Sequence, residues 1–313
     1  LIGLFKTNDG EFTTENAILT TTSNDDGSFS FANIPYGTWY IREISQPTGY
    51  VLNDTVYDVT IAEDEQVVEI SIENRLIRGN ITLTKVDADY PENKLTGAEF
   101  EVYKDMDGNG KLDDGDELLG KLTETDTGIY TMNDLLYGQY LVKETKAPDG
   151  FVLDTGVYSV NIETDGKTYS VENKAGIGFI NEAQKGSLKI VKTSSDSKVD
   201  GFSFRVTGRD YDQTFVTDKN GEIVIDGLRI GEYTVSEVSN SASASYVLPA
   251  DKQATVQVGA TTIVQMHNEF RDTPKTGDNS NPALWIALAG VSATGIAVCG
   301  IIGFKKKKKE DND

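Results

Sequence analysis

The fold is indicated by the segment GQYLVKE at residues 138–144, whose pattern Gly-x-aromatic-x-x-x-Glu occurs three times in the chain. The other two copies are GTWYIRE at 37–43 and GEYTVSE at 231–237. Apolar and polar side chains alternate along each copy, which is typical of a β-strand with one buried face. A motif that recurs at domain-sized intervals predicts three related domains with one such strand each.

A second repeated spacing marks where one domain ends and the next begins. Asn74 precedes Lys85 by eleven residues, and Asn181 precedes Lys192 by the same interval. The sequence therefore predicts domains at 1–77, 78–184 and 185–271, which we call units one, two and three, followed by a C-terminal segment at 272–313. Because the chain begins in what resembles the middle of a strand, we expect unit one to be truncated at its N-terminus.

Short alternating segments fill the predicted units. Residues 157–162 (VYSVNI) are one example, and such segments are separated by Gly, Asn and Asp turns, with no stretch of helical period before the C-terminal segment. A content of 38% hydrophobic residues and 30 glycines is that of folded, β-rich protein. The pattern predicts an all-β class, with tandem Ig-like β-sandwich domains.

Charge and the scarcest residue types exclude several functions. Lys and Arg number 29 against 50 Asp and Glu, and a net charge of −21 disfavours a nucleic-acid partner. The single Cys299 lies in an apolar run far from the single His267. A disulfide framework, a Cys/His zinc site and a Cys–His nucleophile pair are therefore excluded.

Strand alternation places charged and amide side chains on the apolar faces. Lys85 shares a face with Ile81 and Leu83, and Lys192 is placed in the same way in residues 188–192. The same parity turns a middle-strand glutamate and a last-strand asparagine inward in every unit: Glu43, Glu144, Glu237, Asn74, Asn181 and Asn268. A buried Lys–Glu ion pair with a hydrogen-bonded Asn is one interpretation of this set.

The other interpretation is a self-catalysed reaction between an amine and a carboxamide. Burial lowers the pKa of a lysine and raises that of a glutamate, so that the pair can hold a neutral amine beside a neutral acid. The amine can then attack the Asn Cγ while Glu transfers protons to the leaving ammonia. The product is a Lys–Asn isopeptide bond.

On these residues, the repeats resemble the collagen-adhesin B-type domains of Gram-positive surface proteins and the SpaA-like pilins. The resemblance implies a prealbumin-like sandwich with a self-formed bond between a first-strand Lys and a last-strand Asn, assisted by a middle-strand Glu. It assigns the reacting residues of unit two to Lys85, Glu144 and Asn181. In unit three the corresponding residues are Lys192, Glu237 and Asn268. In unit one it covers only Glu43 and Asn74, because the matching lysine is expected before residue 1.

Unit two offers a second candidate asparagine. Asn173 in SVEN matches Asn74 in SIEN, and it shares a face with Tyr169 and Val171. We favour Asn181 because it alone keeps the eleven-residue spacing to the next lysine.

The C-terminal segment predicts a membrane span and a sorting signal. Residues 283–304 carry no charge and predict one transmembrane helix, although a buried core helix is the alternative. The basic run at 305–309 predicts that residues 1–282 lie outside the cell. The order of pentapeptide, span and basic tail resembles a Gram-positive cell-wall sorting signal, with the pentapeptide formed by Thr273, Pro274, Lys275, Thr276 and Gly277.

That resemblance implies cleavage by sortase between Thr276 and Gly277. The Thr276 carboxyl would then be joined to a peptidoglycan precursor or to a pilin lysine, and the membrane would hold the chain only before cleavage. The usual motif has Leu where this chain has Thr273, which implies a sortase with a different pocket preference. A polar linker in a permanently inserted protein is the alternative.

One acidic loop has the spacing of a calcium site. Oxygen donors stand at positions 1, 3, 5, 9 and 12 of the loop, namely Asp105, Asp107, Asn109, Asp113 and Asp116. A plain solvated acidic turn is the equal alternative. No other cofactor is required by the predicted chemistry.

The sequence thus predicts an extracellular, cell-wall-anchored surface protein or minor pilin whose crosslinked units form a stalk. The alternative is the anchoring region of a surface enzyme with its catalytic domain upstream of residue 1. A host ligand is expected to bind, if at all, through that upstream region. Because isopeptide formation is single-turnover self-modification, we do not expect this chain to be an enzyme.

Overall fold

The computed structural model describes residues 1–271, and this part of the chain contains 23 strands and no helix. No helix within it is therefore long and apolar enough to cross a membrane. The all-β prediction is confirmed for the described residues. The predicted span at 283–304 and the sorting pentapeptide at 273–277 lie outside them.

Unit one contains six strands. In chain order they are β1 (Ile2–Phe5), β2 (Leu19–Thr21), β3 (Gly37–Glu43), β4 (Tyr50–Val51), β5 (Tyr57–Ile61) and β6 (Arg75–Leu76). Four of them form an antiparallel sheet in the order β2-β1-β3-β5, and β4 pairs with β6. The Gly-x-aromatic strand β3 is therefore central in its sheet.

Unit two forms a sandwich of two sheets. Its strands are β7 (Arg78–Asp87), β8 (Glu99–Lys104), β9 (Glu117–Lys121), β10 (Thr123–Asp126), β11 (Ile129–Leu136), β12 (Gly138–Lys146), β13 (Val157–Ile162), β14 (Thr168–Ser170) and β15 (Phe179–Asn181). One sheet has the order β10-β11-β7-β14, with β15 also paired to β7, and the other has the order β13-β12-β8-β9. Side chains from both sheets form one core, including Leu83, Phe100, Tyr130 and Val142.

Unit three repeats this arrangement. Its strands are β16 (Lys185–Ser194), β17 (Ser203–Gly208), β18 (Tyr211–Val216), β19 (Glu222–Arg229), β20 (Gly231–Val238), β21 (Tyr246–Val247), β22 (Lys252–Val256) and β23 (Thr261–Phe270). The sheets have the orders β19-β16-β23-β21 and β18-β17-β20-β22. In both complete sandwiches the lysine-bearing first strand lies between the last strand and the strand that precedes the glutamate-bearing strand, β11 in unit two and β19 in unit three.

The repeated Gly-x-aromatic motif has a structural explanation. Its glycine adopts a positive φ in every unit, 130° at Gly37, 148° at Gly138 and 137° at Gly231, a region that favours glycine. The aromatic side chain two residues later donates a hydrogen bond to the carbonyl oxygen four residues before itself. The three bonds run from Trp39 Nε1 to Pro35 at 2.8 Å, from Tyr140 Oη to Leu136 at 2.6 Å and from Tyr233 Oη to Arg229 at 2.9 Å. The motif thus fixes the turn that enters the glutamate-bearing strand.

Unit two differs from unit three in its last strand. Ser170 pairs with Thr82, and Phe179 pairs with Lys85. Between these two pairs the chain advances nine residues on the last strand but only three on β7. In unit three the corresponding strand β23 pairs with β16 without a break over residues 187–194. Unit two therefore carries a six-residue insert that separates β14 from β15.

Ile77 connects units one and two through two backbone hydrogen bonds. Its N–H donates to the carbonyl of Gly49 in unit one at 2.8 Å, and its carbonyl accepts from the N–H of Tyr137 in unit two at 3.0 Å. The chain is therefore held by both units at the residue between them.

Gln184 makes the same two bonds between units two and three. Its N–H donates to Gly150 at 2.8 Å, and its carbonyl accepts from Ile230 at 3.0 Å. At the end of unit three, Arg271 donates its N–H to Ser245 at 2.7 Å, at the position that Gly49 and Gly150 hold in the other units. The third residue after each last-strand asparagine is thus held in a repeated geometry.

Candidate functional site

The predicted trio of unit two meets in the core of the sandwich. Lys85, Glu144 and Asn181 are 0%, 0% and 2% exposed. The Lys85 Nζ lies 3.9 Å from Glu144 Oε1 and donates a hydrogen bond to the carbonyl of Phe179 at 2.9 Å. Asn181 Nδ2 donates to Glu144 Oε2 at 2.8 Å and to the carbonyl of Val152 at 2.7 Å. Amine, acid and amide are therefore assembled around one carboxylate.

The trio of unit three lies at the same strand positions, but Lys192 Nζ donates to the carbonyl of Thr193 and forms no ion pair with Glu237. Lys192, Glu237 and Asn268 are buried, and Asn268 Nδ2 donates to Glu237 Oε1 at 2.7 Å. Lys192 Nζ lies 4.2 Å from the centre of the Phe202 ring. In both units the asparagine stands two residues beyond the strand partner of the lysine, which in unit three is Met266. The repeated register explains the recurrent order of the three residues in the sequence.

Burial shifts the pKa values of both lysines and both glutamates in opposite directions. Desolvation lowers the pKa of Lys85 to about 8, although the charges of Glu144, Asp154 and Asp87 act in the other direction. Desolvation raises the pKa of Glu144 above its usual range against the hydrogen bonds that it accepts. The pKa values of Lys192 and Glu237 move in the same two directions for the same reason, lowered for the lysine and raised for the glutamate. The site thereby raises the population of the neutral amine and of the neutral acid.

Each trio leaves two oxygen atoms without a hydrogen-bond partner in the protein. They are one carboxylate oxygen and the amide oxygen of the asparagine, namely Glu144 Oε1, Asn181 Oδ1, Glu237 Oε2 and Asn268 Oδ1. An ionised carboxylate oxygen and an amide oxygen can only accept hydrogen bonds, whereas a protonated glutamate can donate one. A buried carboxylate oxygen without a donor disfavours the ionised form, the same direction as the raised pKa values of Glu144 and Glu237.

Unit one contains the glutamate and the asparagine without a lysine between its strands. Asn74 Nδ2 and the N–H of Asn53 donate to Glu43 Oε2 at 2.7 and 2.8 Å. Unit one also contains a groove of about 800 Å³ whose apolar lining includes Phe31, Trp39, Ile41, Val59 and Ile70.

The edges of this groove are two extended segments that form no strand. They are residues 28–35, which precede Gly37 as β11 precedes Gly138, and residues 66–74, which lead to Asn74 as β23 leads to Asn268. In units two and three the corresponding space holds β7 and β16. We call the groove between residues 28–35 and 66–74 the strand slot.

Asn173, the second candidate amide of unit two, lies apart from Glu144 in the hydrogen-bond network. Its Nδ2 donates to Asp154 Oδ2 at 2.6 Å and to the carbonyl of Ile180 at 2.9 Å, and its Oδ1 accepts from the N–H of Ile180 at 2.6 Å. The contacts with Glu144 are made by Asn181 instead. The geometry therefore supports Asn181 as the amide that faces the lysine.

The acidic loop lies at the tip of the hairpin formed by β8 and β9. Carboxylate oxygens of Asp105, Asp107 and Asp116 lie within 4.8 Å of one another. Asn109 donates to both Asp107 and Asp113, and Asp105 accepts from the N–H groups of Gly108 and Gly110, at distances of 2.7–3.1 Å. The five residues named from the sequence are thus neighbours, and calcium binding stays a prediction.

Asp154 is a member of the site that was not predicted from the sequence. Its N–H donates to Glu144 Oε2 at 2.8 Å, as the N–H of Asn53 does to Glu43 in unit one. The signal was present in the repeated turn, where PTGYVL is followed by Asn53 and PDGFVL by Asp154. A turn residue becomes part of the site because the turn folds back over the glutamate.

Two family profiles match the chain. The profile of the SpaA family, a prealbumin-like fold domain, matches residues 2–76, 79–175 and 186–270. The profile described as the LPXTG cell wall anchor motif matches residues 274–312. The second SpaA match ends before β15, although β15 completes the sheet of unit two. No curated protein matches the chain.

Solved structures of bacterial proteins are similar to this chain. The Bacillus anthracis TIE protein is 22% identical with a TM-score of 0.63, and the match covers 86% of this chain and 47% of that one. This chain therefore spans about half of the length of that protein. GBS52, the minor pilin of Streptococcus agalactiae, is 16% identical with a TM-score of 0.29, over 64% of this chain and 100% of that chain. A C-terminal fragment of the pilus adhesin SpaC from Lactobacillus rhamnosus GG is 15% identical with a TM-score of 0.38, over 63% and 98%.

Proposed function

Because the chain belongs to the SpaA family of prealbumin-like fold domains, we propose that its units form a crosslinked stalk in a surface protein of the minor-pilin or adhesin type. The anchor motif at 274–312 identifies the chain as an extracellular protein attached to the cell wall of a Gram-positive bacterium. Its role is structural, and the two family matches give no support to the alternative of an enzyme anchor. The stalk is held together by Lys–Asn bonds that the units form themselves.

The observation that carries this proposal is the contact of Glu144 with both reacting groups. Glu144 Oε1 faces the Lys85 amine, and Oε2 accepts a hydrogen bond from the Asn181 amide nitrogen. Neutral Lys85 Nζ attacks Asn181 Cγ, and a new N–C bond forms. Glu144 takes a proton from Nζ and delivers one to Nδ2, which leaves as ammonia when its bond to Cγ breaks. No oxidant, metal or second protein enters the balance.

Position in the fold gives the bond a mechanical purpose. Lys85 lies on the first strand β7 and Asn181 on the last strand β15, and the two strands run parallel. A bond between them carries tension from residue 85 directly to residue 181. The rest of the sandwich, residues 86–180, is then removed from the load path. A stalk between a cell wall and an outer region requires this resistance to pulling.

Covalent attachment completes the proposed stalk. Sortase would cut between Thr276 and Gly277 and join Thr276 to a peptidoglycan precursor or to a pilin lysine. Arg271, the last described residue, is held to Ser245 by its N–H. The attached stalk would therefore begin within a few residues of the bond to its acceptor.

Intact mass under denaturing conditions tests the crosslinks. We expect the full chain to be lighter than its sequence mass by two ammonia masses, one for each complete unit. Glu144→Ala and Glu237→Ala should each restore one ammonia mass. Glu182→Ala is the matched control, because Glu182 follows Asn181 directly and its side chain is exposed. A wild-type chain at its full sequence mass would contradict the proposal.

A further inference from the structure

The strand that carries Asn181 in unit two makes few backbone contacts with its neighbour β7. The six-residue insert interrupts the strand, and β15 contributes only three residue pairs to β7. In unit three, eight consecutive pairs hold the strand that carries Asn268. Unit two therefore needs another means of fixing its reacting amide.

Asn173, at the start of the insert, takes over the missing contacts. Its side-chain amide bonds both backbone polar groups of Ile180, accepting from the N–H at 2.6 Å and donating to the carbonyl at 2.9 Å. Ile180 is the residue immediately before Asn181. A side chain thus pairs with β15 in the way that a neighbouring strand would.

Asp154 connects this contact to the catalytic glutamate. Its Oδ2 accepts from Asn173 Nδ2 at 2.6 Å, and its N–H donates to Glu144 Oε2 at 2.8 Å. The same Glu144 oxygen accepts from Asn181 Nδ2 at 2.8 Å. The contacts therefore form a closed ring through Glu144, Asp154, Asn173, Ile180 and Asn181.

The carboxylate of Asp154 is fully engaged. Besides Asn173, it accepts from the Tyr158 hydroxyl at 2.8 Å and from the N–H of Gly156 at 2.6 Å. Burial alone would raise the pKa of Asp154, but these hydrogen bonds and the charge of Lys85 hold it below its usual value. Asp154 consequently remains a fixed anion beside the reacting pair.

Unit three has no counterpart of this ring. Pro249 follows YVL where Asp154 follows FVL, and proline has neither a carboxylate nor an N–H to donate. Glu237 Oε1 accepts from Asn268, and the other oxygen has no partner in the protein. The two units thus position their amides by different means.

We propose that Asn173 and Asp154 are positioning residues for closure of the Lys85–Asn181 bond, and that Asn173 compensates for the insert that interrupts the last strand. This inference rests on the crosslink proposed above. Asn173 fixes β15 and hence the Asn181 amide, while Asp154 fixes Glu144 and Asn173 relative to each other. Neither residue forms or breaks a covalent bond in the reaction.

The rate of closure tests the inference, with unit three as a control inside the same molecule. The full chain is recovered unfolded, refolded by dilution, and quenched in denaturant at intervals. Peptide mass mapping then follows the loss of ammonia from each unit. We expect Asn173→Ala to slow closure of unit two by about tenfold or more, because it removes three hydrogen bonds from the ring. Closure of unit three should keep its wild-type rate.

Glu172→Gln is the matched variant in the same insert. Its carboxylate accepts only the N–H of Gly176 and lies outside the ring. We expect this variant to close unit two at the wild-type rate. Equal slowing in Glu172→Gln and Asn173→Ala would show a general effect of the insert and overturn the inference.

Asp154→Asn adds a measurement that a purely structural role would not change. Lys85 is faced by Glu144 on β12, by Asp154 and by Asp87 on its own strand, and the Asp154 charge raises the pKa values of Lys85 and Glu144. Removing that charge should lower both pKa values and shift the pH profile of closure in unit two towards lower pH. The profile of unit three should not move.

Three results would overturn the inference separately from the crosslink itself. Wild-type rates in both Asn173→Ala and Asp154→Asn would show that the ring has no role. An unshifted pH profile in Asp154→Asn would remove Asp154 from it. A mapped bond from Lys85 to residue 173 would make Asn173 the reacting amide. If the wild-type chain loses no ammonia at all, the proposed function fails first, and this inference fails with it.

Discussion

Arg229 of unit three holds Asp87 of unit two with both prongs of its guanidinium group, at N–O distances of 2.5 and 2.7 Å. Asp87 lies two residues after the reacting Lys85 on β7, and its side chain is 3% exposed. The guanidinium also contacts Asp89 at 2.9 Å and lies over the ring of Tyr90. The junction between the units is therefore tied to the strand that carries the crosslink.

Replacing Arg229 should weaken this junction. Arg229→Ala leaves a buried carboxylate without its partner, and we expect the free energy of unfolding to fall by about 1–3 kcal/mol. Urea unfolding of the full chain measures the change. Arg205→Ala is the control, because Arg205 pairs with Asp212 at a site where both side chains are more than half exposed. That variant should show no measurable change, and an equal loss in both would contradict a special role for Arg229.

The crosslink of unit two should contribute measurably to stability. Glu144→Gln keeps the size of the side chain but cannot transfer the protons, so unit two should fold without its bond. A loop of nearly a hundred residues is then open in the unfolded state, and we expect a loss of about 4–5 kcal/mol in unit two. Urea unfolding of the full chain, with mass spectrometry to confirm the missing bond, tests this. An unchanged midpoint for a chain shown to lack the bond would refute the expectation.

Closure of unit two should have a bell-shaped pH profile. The reactive state holds one proton between Lys85 and Glu144, as neutral amine and neutral acid. Above the Lys85 pKa of about 8 the acid loses this proton, and below the raised pKa of Glu144 the amine is protonated as well. The rate should therefore fall on both sides, with the upper limb near pH 8 and the lower limb above the usual range of a glutamate. Refolding at a series of pH values, with ammonia loss as the readout, measures both limbs, and a rate that climbs steadily past pH 9 would argue against Glu144 as the proton carrier.

The strand slot of unit one should accept a strand that carries a lysine. A synthetic peptide with the sequence of residues 78–88 has the apolar alternation of β7 and places its lysine opposite Glu43 and Asn74. We expect it to form an adduct with the full chain that lacks one ammonia mass and maps to Asn74. A peptide with alanine in place of the lysine should bind without reacting, and Asn74→Ala should give no adduct. Adduct formation that persists in Glu43→Ala would point to a different chemistry.

Alternation of side chains was sufficient to predict the all-β class and the inward lysine and glutamate of each complete unit. The inward faces of Lys85, Glu144 and Asn181 follow from strand parity, and the structure places all three in one core. Parity could not decide between Asn173 and Asn181, because an insert between two strands changes the register without changing the pattern of either. The eleven-residue spacing to Lys192 favours Asn181, because both residues follow the insert and the spacing is unaffected by it.

Contacts between units could not be predicted in the same way. Arg229 and Asp87 are separated by 142 residues and belong to different repeats. Asp87 continues the inward alternation of β7, but an arginine at the end of a strand has no sequence signal that names its partner. Likewise, the role of Asp154 depends on a turn folding back over Glu144, which no local propensity describes.

The joints at Ile77, Gln184 and Arg271 share a backbone hydrogen bond from the N–H of the joint residue, although their side chains are an aliphatic group, an amide and a guanidinium group. Hydrogen bonds of the main chain make no demand on residue type at such a position. A tandem duplication that copies one unit with its joint would therefore reproduce the backbone bonds of the joint, whereas a side-chain contact such as Arg229 with Asp87 depends on the residues of that junction. A single duplication would add one whole unit to such an array. The distance that the stalk spans from the cell wall would then change in steps of one unit.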